Sequence, residues 1–426
     1  MSARGDGQQI EIQLGHLCNN TCVFCVSGQL TQQKLAKRIP LEPVLGTLEE
    51  ARRKGVQRVT FLGGEPTIQR SFLPALRAAV ELGFPDIVIF TNLVRGREPR
   101  FLEEVCDLGR FTWRVSIQGG DEETHDRVVG RAGAWAKIQA GLQWLGERGH
   151  DLTANSCINA HSYRSLPGYV ELVRRTGLRQ LHLDMVRPGS TGVRPEQHQR
   201  DLLAPYEDMA PFLGAMLDGF DAWNPDFEVN VGNFPFCLLP QHAHRIAHGG
   251  EDTLTVTTDE RGNLGRVWDK YAYQGADKIH ADGCATCAFR PQCRGVPEEY
   301  AAFHGLDALV PVVDVTDLDP RVDRWLRTGW RPGRDPEPDR REDIRRLARV
   351  VRRLRTGAPW AGWEIAGTRS MTDGAGAIVT LGSNDQRLDV RIAIRPRFKV
   401  SFAPADGTGP EDARPPIEAV VAALRG

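Results

Sequence analysis

Nine cysteines occur in this chain of 426 residues, and three of them fall within eight positions: Cys18-Asn19-Asn20-Thr21-Cys22-Val23-Phe24-Cys25, spaced CxxxCxxC. Ile10, Ile12 and Leu14 alternate just before them and read as a strand that opens into the thiol loop. Such a loop can wrap one soft metal centre, an iron–sulfur cluster, zinc or Cu(I). A [4Fe–4S] cube takes four ligands, so three protein thiolates leave one iron open. Zinc is the alternative, with His16 or a distant residue as the fourth ligand. An odd total of cysteines and no sign of secretion argue against a disulfide framework.

Two further runs carry chemistry. In Gly63-Gly64-Glu65-Pro66-Thr67 the glycines let backbone approach a ligand closely, and the carboxylate beside them can hold an ammonium group. Taken alone, such a run is a turn before a helix. Far downstream, Cys284, Cys287 and Cys293 are spaced CxxCx5C. With Cys237 they give four thiols, a complete set for one closed centre, either an iron–sulfur cluster or a structural zinc knuckle.

CxxxCxxC with an aromatic, Phe24, before its last cysteine, followed one strand later by Gly63-Gly64-Glu65, resembles the radical SAM enzymes. The resemblance implies that Cys18, Cys22 and Cys25 hold a [4Fe–4S] cluster whose open iron is chelated by S-adenosylmethionine. It also implies that the GGE run grips the methionine amino group. Asn92, Ser116 and Gln118 then stand at strand ends that reach the ribose, with Gln118 where many relatives carry an aspartate. Asn159, Val186 and Arg187 end the next strands, where relatives meet the adenine and carboxylate. The run from His125 to Gly130 looks like a helix lead-in of the peptide- and cofactor-modifying branch, and His125 and Asp126 could either organise that loop or touch substrate. Cys106 reads as a core thiol, and Cys157, on a strand able to point inward, is a weak catalytic candidate. The hairpin and CxxCx5C after residue 250 resemble the auxiliary-cluster extension called SPASM or twitch. No cysteine follows Cys293, so only one auxiliary cluster can be fully ligated.

Around these residues, strand and helix patterns alternate from residue 9 to about 220. Strands are expected at Gln9–Leu17, Arg58–Leu62, Asp86–Thr91, Phe111–Ile117, Thr153–Ile158 and Gln180–Met185, with helices at 43–54, 70–82, 99–108, 134–147 and 164–176. Runs such as Ile87-Val88-Ile89-Phe90 are apolar on both faces, as buried parallel strands are. Six βα units give an α/β fold, a partial (β/α)6 barrel with its chemistry on the loops after the strands. The predicted organisation is a core over 1–220, a small auxiliary Fe–S domain over 221–330 and, past the proline-rich stretch 331–338, a C-terminal α+β module. That module is expected to open with an arginine-faced helix, Arg340–Arg355, followed by strands at Trp363–Gly367, Ala377–Leu381, Leu388–Ile394 and Phe398–Phe402 and a short helix from Pro416.

Composition is ordinary for a globular chain, 41% hydrophobic and 26% charged, and a net charge of -1 argues against a nucleic-acid footprint over the whole surface. No apolar run approaches transmembrane length and the start lacks a signal-peptide core, so a cytoplasmic protein without membrane contact is expected. The resemblance implies two [4Fe–4S] clusters and S-adenosylmethionine as cofactors, with an external one-electron donor of the flavodoxin or ferredoxin type. The implied reaction is reductive cleavage of S-adenosylmethionine to a 5′-deoxyadenosyl radical that abstracts a substrate hydrogen. A ribosomally made peptide is the first substrate class and a small molecule of cofactor or natural-product synthesis the second. A zinc-containing RNA- or protein-binding module is the reading from another class.

Overall fold

In the computed structural model the apolar runs between residues 9 and 269 settle into one mostly parallel sheet. Its strands are β1 (Gln9–Gln13), β2 (Arg58–Leu62), β3 (Asp86–Thr91), β4 (Thr112–Ser116), β5 (Asp151–Ile158), β6 (Gln180–Met185), β7 (Glu228–Gly232), β8 (Ile246–Ala247), β9 (Thr253–Val256) and β10 (Trp268–Asp269). The structure describes residues 9–187, 196–247, 253–257, 259, 263–269, 277–328, 350, 354, 357, 360–370, 376–384, 386–393, 399–404 and 410–425. Spatial order is β10-β9-β1-β2-β3-β4-β5-β6-β7-β8, all parallel except β10.

The helices between strands are α1 (Val26–Gln32), α2 (Leu41–Arg53), α3 (Phe72–Glu81), α4 (Pro99–Cys106), α5 (Glu122–Val129), α6 (Ala134–Glu147), α7 (Tyr169–Thr176), α8 (Glu196–Leu202) and α9 (Tyr206–Trp223). They turn apolar stripes such as Val44, Leu48 and Ala51 of α2, or Ile138, Leu142 and Leu145 of α6, into the core. The six expected βα units are present.

The sheet does not stop near 220, however. Phe227, Val229 and Val231 read as a half-buried strand of a separate domain, yet β7 pairs in parallel with β6 and is buried along most of its length. The physical reason is that its polar alternate position is paired rather than solvated. Glu228 is 8% exposed and accepts a hydrogen bond from Gln180 Nε2 at 2.6 Å. At the other side of the sheet Gln9 Nε2 donates to Thr253 Oγ1 at 2.6 Å, fixing β9 beside β1. The expected hairpin forms from β9 and β10, shorter than its sequence pattern; its turn residues 260–262 lie outside the described set.

The chain divides between residues 322 and 323 into two compact units. In the second, β11 (Glu364–Ser370), β12 (Gly376–Ser383), β13 (Gln386–Ala393) and β14 (Lys399–Pro404) form an antiparallel meander in that order, and a helix follows at Pro410–Arg425. Val379, Leu381, Leu388, Val390 and Ile392 from the sheet, Trp360 and Trp363 before it, and Ala413 and Val420 from the helix make its core. The proline-rich stretch and nearly all of the expected arginine-faced helix lie outside the described residues. Among the described residues, no helix is long and apolar enough to cross a membrane.

Candidate active site

The loop between β1 and α1 carries Cys18, Cys22 and Cys25 at the C-terminal edge of the parallel strands, with Cys25 as the residue before the first turn of α1. Each thiol sits in the field of the others. Burial first, then Glu65 and Cys25, push the Cys18 thiol up to about 12, and burial with Cys25 and Cys18 raises Cys22 well above its ordinary value. Crowded, desolvated thiols become thiolates only when cationic charge arrives among them, which is what bound iron or zinc supplies. Two N–H groups are already aimed at sulfur: Asn20 N lies 3.4 Å and Asn92 Nδ2 3.7 Å from Cys18 Sγ. Among the described residues, no three His, Cys, Asp or Glu side chains converge on a single metal-ion point. The Nδ1 of His16, the alternative fourth ligand, is engaged by other side chains, 2.9 Å from Ser27 Oγ and 3.2 Å from Gln13 Nε2.

The turn after β2 is locked against this loop. Gly64 N donates to Gly15 O at 2.7 Å and Glu65 N to Leu17 O at 2.9 Å. A Cβ on Gly64 would sit 2.4 Å from both His16 O and Leu17 O, and Gly63 has φ +150°, so side chains are excluded by two peptide groups at once. Glu65 departs from the expectation that it offers an open carboxylate to an ammonium group. It is fully buried; Oε1 accepts from Thr67 N (3.1 Å), Thr67 Oγ1 (2.6 Å) and Thr91 Oγ1 (2.6 Å), and Oε2 from Asn92 N (2.7 Å). Burial raises its pKa while these donors oppose the rise. Four donors and no exposed surface leave the Gly63–Gly64 backbone, rather than this carboxylate, as the part of the run a ligand can meet.

Asn92 stands beside the thiol loop: its Nδ2 donates to Asn19 Oδ1 at 2.7 Å and its Oδ1 accepts from Val94 N. Ser116 and Gln118 are joined, Gln118 Nε2 donating to Ser116 Oγ at 2.6 Å, and Gln118 Oε1 accepts from Cys157 N at 2.9 Å. Asn159 closes its own turn, donating to Cys157 O and accepting from His161 N, so its side chain organises the end of β5. Phe24 and Cys157 pack against Val186, Leu202 and Leu203, which brings the thiol loop, β5 and the end of β6 together. Arg187 is held by Asp277, with Nη2 2.8 Å from both carboxylate oxygens. Burial first, then Asp184 and Cys25, raise the Cys157 thiol. Cys106 is half-buried at the end of α4.

His125 and Asp126 organise their loop. His125 Nδ1 accepts from Gln118 N at 3.1 Å, and Asp126 accepts from Gly133 N and Trp135 N. The stretch behind them also braces the thiol loop, which sequence reasoning missed. Thr21 N donates to Val129 O (2.9 Å), Val23 N to Val128 O (3.0 Å), and Arg131 Nη1 to Asn19 O (2.5 Å). The only sequence signal was the glycine pair Gly130 and Gly133, both at positive φ.

The second thiol set is assembled from distant segments. Burial first, then Cys293, Cys287 and Cys284, push the Cys237 thiol up to about 12, while among the described residues no three of these thiols converge on a single metal-ion point. Phe236 and Phe289, both buried, pack with ring centroids 5.6 Å apart and pin the two segments, and Gly295 N lies 3.3 Å from Cys293 Sγ. An all-thiol donor set of this kind suits an iron–sulfur cluster or zinc.

Residues 12–160 match the Radical SAM superfamily. The PqqA peptide cyclase of Rhodopseudomonas palustris is 30% identical over 161 residues, covering 38% of this chain and 42% of the cyclase. A probable GTP 3′,8-cyclase of Saccharolobus islandicus is 24% identical over 197 residues, 46% of this chain and 62% of that protein. The chain thus spans less than two thirds of the length of these curated relatives. A solved structure of anSMEcpe with bound AdoMet and Kp18Cys peptide matches 72% of this chain and 92% of that one at a TM-score of 0.50 with 13% identity, a likeness of fold.

Proposed function

We propose, from the match of residues 12–160 to the Radical SAM superfamily, that this chain is a radical SAM enzyme that reductively cleaves S-adenosylmethionine and uses the product to abstract a hydrogen atom from a peptide. The observation that carries the reading is the thiol loop locked edge to edge with the Gly63–Gly64 turn at the mouth of the parallel strands. Cys18, Cys22 and Cys25 would ligate a [4Fe–4S] cluster that, with S-adenosylmethionine on its open iron, supplies the electron splitting the sulfonium into methionine and a 5′-deoxyadenosyl radical. The chain's own work is to hold and orient. The Gly63–Gly64 backbone receives the polar end of the cofactor, Asn92 and Ser116 with Gln118 line the strand ends beside it, and Phe24 with Val186 and Leu202 keeps water from the reacting atoms.

Cys237, Cys284, Cys287 and Cys293 would hold an auxiliary [4Fe–4S] cluster in a SPASM- or twitch-like extension. Four thiolates leave no open iron, so an electron-relay or structural role suits it. A flavodoxin- or ferredoxin-type donor would deliver the electron. A peptide substrate is supported by the match to a peptide cyclase; the match to probable GTP cyclases supports a small molecule as the second reading. Anaerobically reconstituted protein with dithionite should convert S-adenosylmethionine into 5′-deoxyadenosine and methionine, and Cys25→Ala should not. Equal product from both proteins would overturn the assignment.

A further inference from the structure

A polar row crosses the strand ends. Cys157, Asp184 and Gly232 are register partners on β5, β6 and β7, so their Cα atoms lie side by side. Gly232 has no side chain because Asp184 needs the room: a Cβ there would lie 2.7 Å from Asp184 Oδ1. The next residue, Asn233, takes φ +61° and swings its amide back over the row. Its Nδ2 donates to Asp184 Oδ1 at 2.8 Å, and its Oδ1 accepts from Lys278 Nζ. An ammonium can only donate and a carboxylate can only accept, so this orientation of the amide is fixed by its neighbours. Lys278 sits on the short strand Lys278–Ile279, whose preceding residue Asp277 is anchored by Arg187.

The pair has spare capacity. Among the described residues, Asp184 Oδ2 accepts no hydrogen bond, since Asn233 and Met185 N both use Oδ1. Lys278 Nζ carries three N–H groups, of which, among the described residues, one goes to Asn233. Neither side chain is fully covered. Asn233 shows what fits between them, one amide with its N–H toward Asp184 and its C=O toward Lys278.

We propose that Asp184 and Lys278 form a subsite for a backbone amide of the substrate, which lies alongside the side-chain amide of Asn233 with the same polarity. The assignment rests on the peptide reading of the function and gives it a contact. Cys157 is the register partner of Asp184, and the strand that carries Lys278 pairs with Val296–Pro297, just past Cys293. An extended segment fixed at the subsite by one amide would present its neighbouring residue to the thiol-loop end of the strands. Aspartate and lysine offset each other's charge, so the subsite favours a neutral amide over an anion or a cation.

The test uses the full-length, cluster-loaded protein and the uncharged probe N-acetylglycinamide. The chain has seven lysines. Burial first, then Arg187, bring the Lys278 ammonium down to about 8, so it acylates at mildly alkaline pH. Acetylation by acetic anhydride is followed residue by residue by mass spectrometry. The probe should slow acetylation of Lys278 about threefold once its concentration is about twice its Kd, and leave the other lysines unchanged. Asp184→Asn, of the same shape, should lose that protection. Asn233→Gly, which suits the positive φ, should gain protection at lower probe concentration because the resident amide is gone. Protection of Lys278 no greater than that of Lys54 or Lys137, or protection equal in the wild type and Asp184→Asn, overturns the subsite. Because the readout does not need turnover, a protein that forms 5′-deoxyadenosine yet leaves Lys278 unprotected refutes the subsite and leaves the proposed reaction standing.

Discussion

Asn92 N donates to Glu65 Oε2 across 2.7 Å, tying the end of β3 to the turn after β2 through a carboxylate with no exposed surface. The same asparagine reaches the thiol loop with its side chain, to Asn19 Oδ1 and toward Cys18 Sγ. Glu65 is therefore the hub that sets the distance between two strand ends, and Asn92 carries that distance to the thiol loop.

The first prediction follows from the hub. Glu65→Ala leaves buried donors on Thr67, Thr91 and Asn92 without an acceptor, and should cost about 3 kcal/mol or more in stability. Glu65→Gln keeps one acceptor but turns an N–H toward Asn92 N or Thr91 Oγ1, and should cost about 1–3 kcal/mol. Both should lower the iron retained on the thiol loop, with alanine the worse. Wild-type urea midpoint and iron content in Glu65→Ala, together with weakened cofactor affinity alone, would restore the carboxylate as a direct ligand of the cofactor.

A second prediction concerns metal content. Two cubes bring about eight irons per chain, and replacing Cys18, Cys22 and Cys25 together by alanine should leave about four. The remaining cluster should still be visible by Mössbauer spectroscopy. Replacing Cys284 and Cys287 should remove the other four and spare the first site. Stoichiometric zinc at the second set in protein produced with abundant iron would overturn the auxiliary-cluster proposal.

How legible these features are in the sequence depends on how far apart the partners lie. The thiol loop and Gly63-Gly64-Glu65 stand out because one short turn carries each, β3 because Ile87-Val88-Ile89-Phe90 is apolar on both faces, and β4 and β6 because apolar residues alternate along them. β7 misled because its polar position is buried against Gln180, 48 residues away, and alternation alone cannot tell a paired glutamate from a solvated one. Asp184, Asn233 and Lys278 carry no local signal at all; only the topology makes them neighbours. Glu65 was singled out for its position, but its role changed because burial, not residue type, decides whether a carboxylate is open to a ligand.

His125 gives a pH prediction. It is fully buried, and burial lowers its pKa to about 4, with Asp126 opposing. Between pH 4 and about 6.5 the unfolded chain binds a proton at this site that the native protein does not, so this part of the stability rises with pH. It is complete above about 6.5 and is lost as pH falls toward 4, about 3 kcal/mol at most. Urea midpoints from pH 7 down to 4.5 should fall less steeply in His125→Gln than in the wild type. Identical slopes would mean that another group sets the acid limit.

The last prediction concerns the brace behind the thiol loop. Arg131 Nη1 donates to Asn19 O, one residue from Cys18, while the main-chain bonds from Thr21 and Val23 to Val129 and Val128 do not need the arginine. Arg131→Gln should therefore fold and load iron normally under anaerobic conditions. It loses one charge-assisted bond of about 1.5 kcal/mol, which corresponds to about a tenfold greater population of the opened loop. Exposure to air should then bleach the cluster on Cys18, Cys22 and Cys25 up to about tenfold faster, with the cluster on Cys237, Cys284, Cys287 and Cys293 decaying at its wild-type rate. Arg131→Lys, which keeps the charge and can still reach a carbonyl, should fall between the two. Equal acceleration of both clusters would place the effect in global unfolding, and no acceleration at all would show that the main-chain bonds hold the loop unaided.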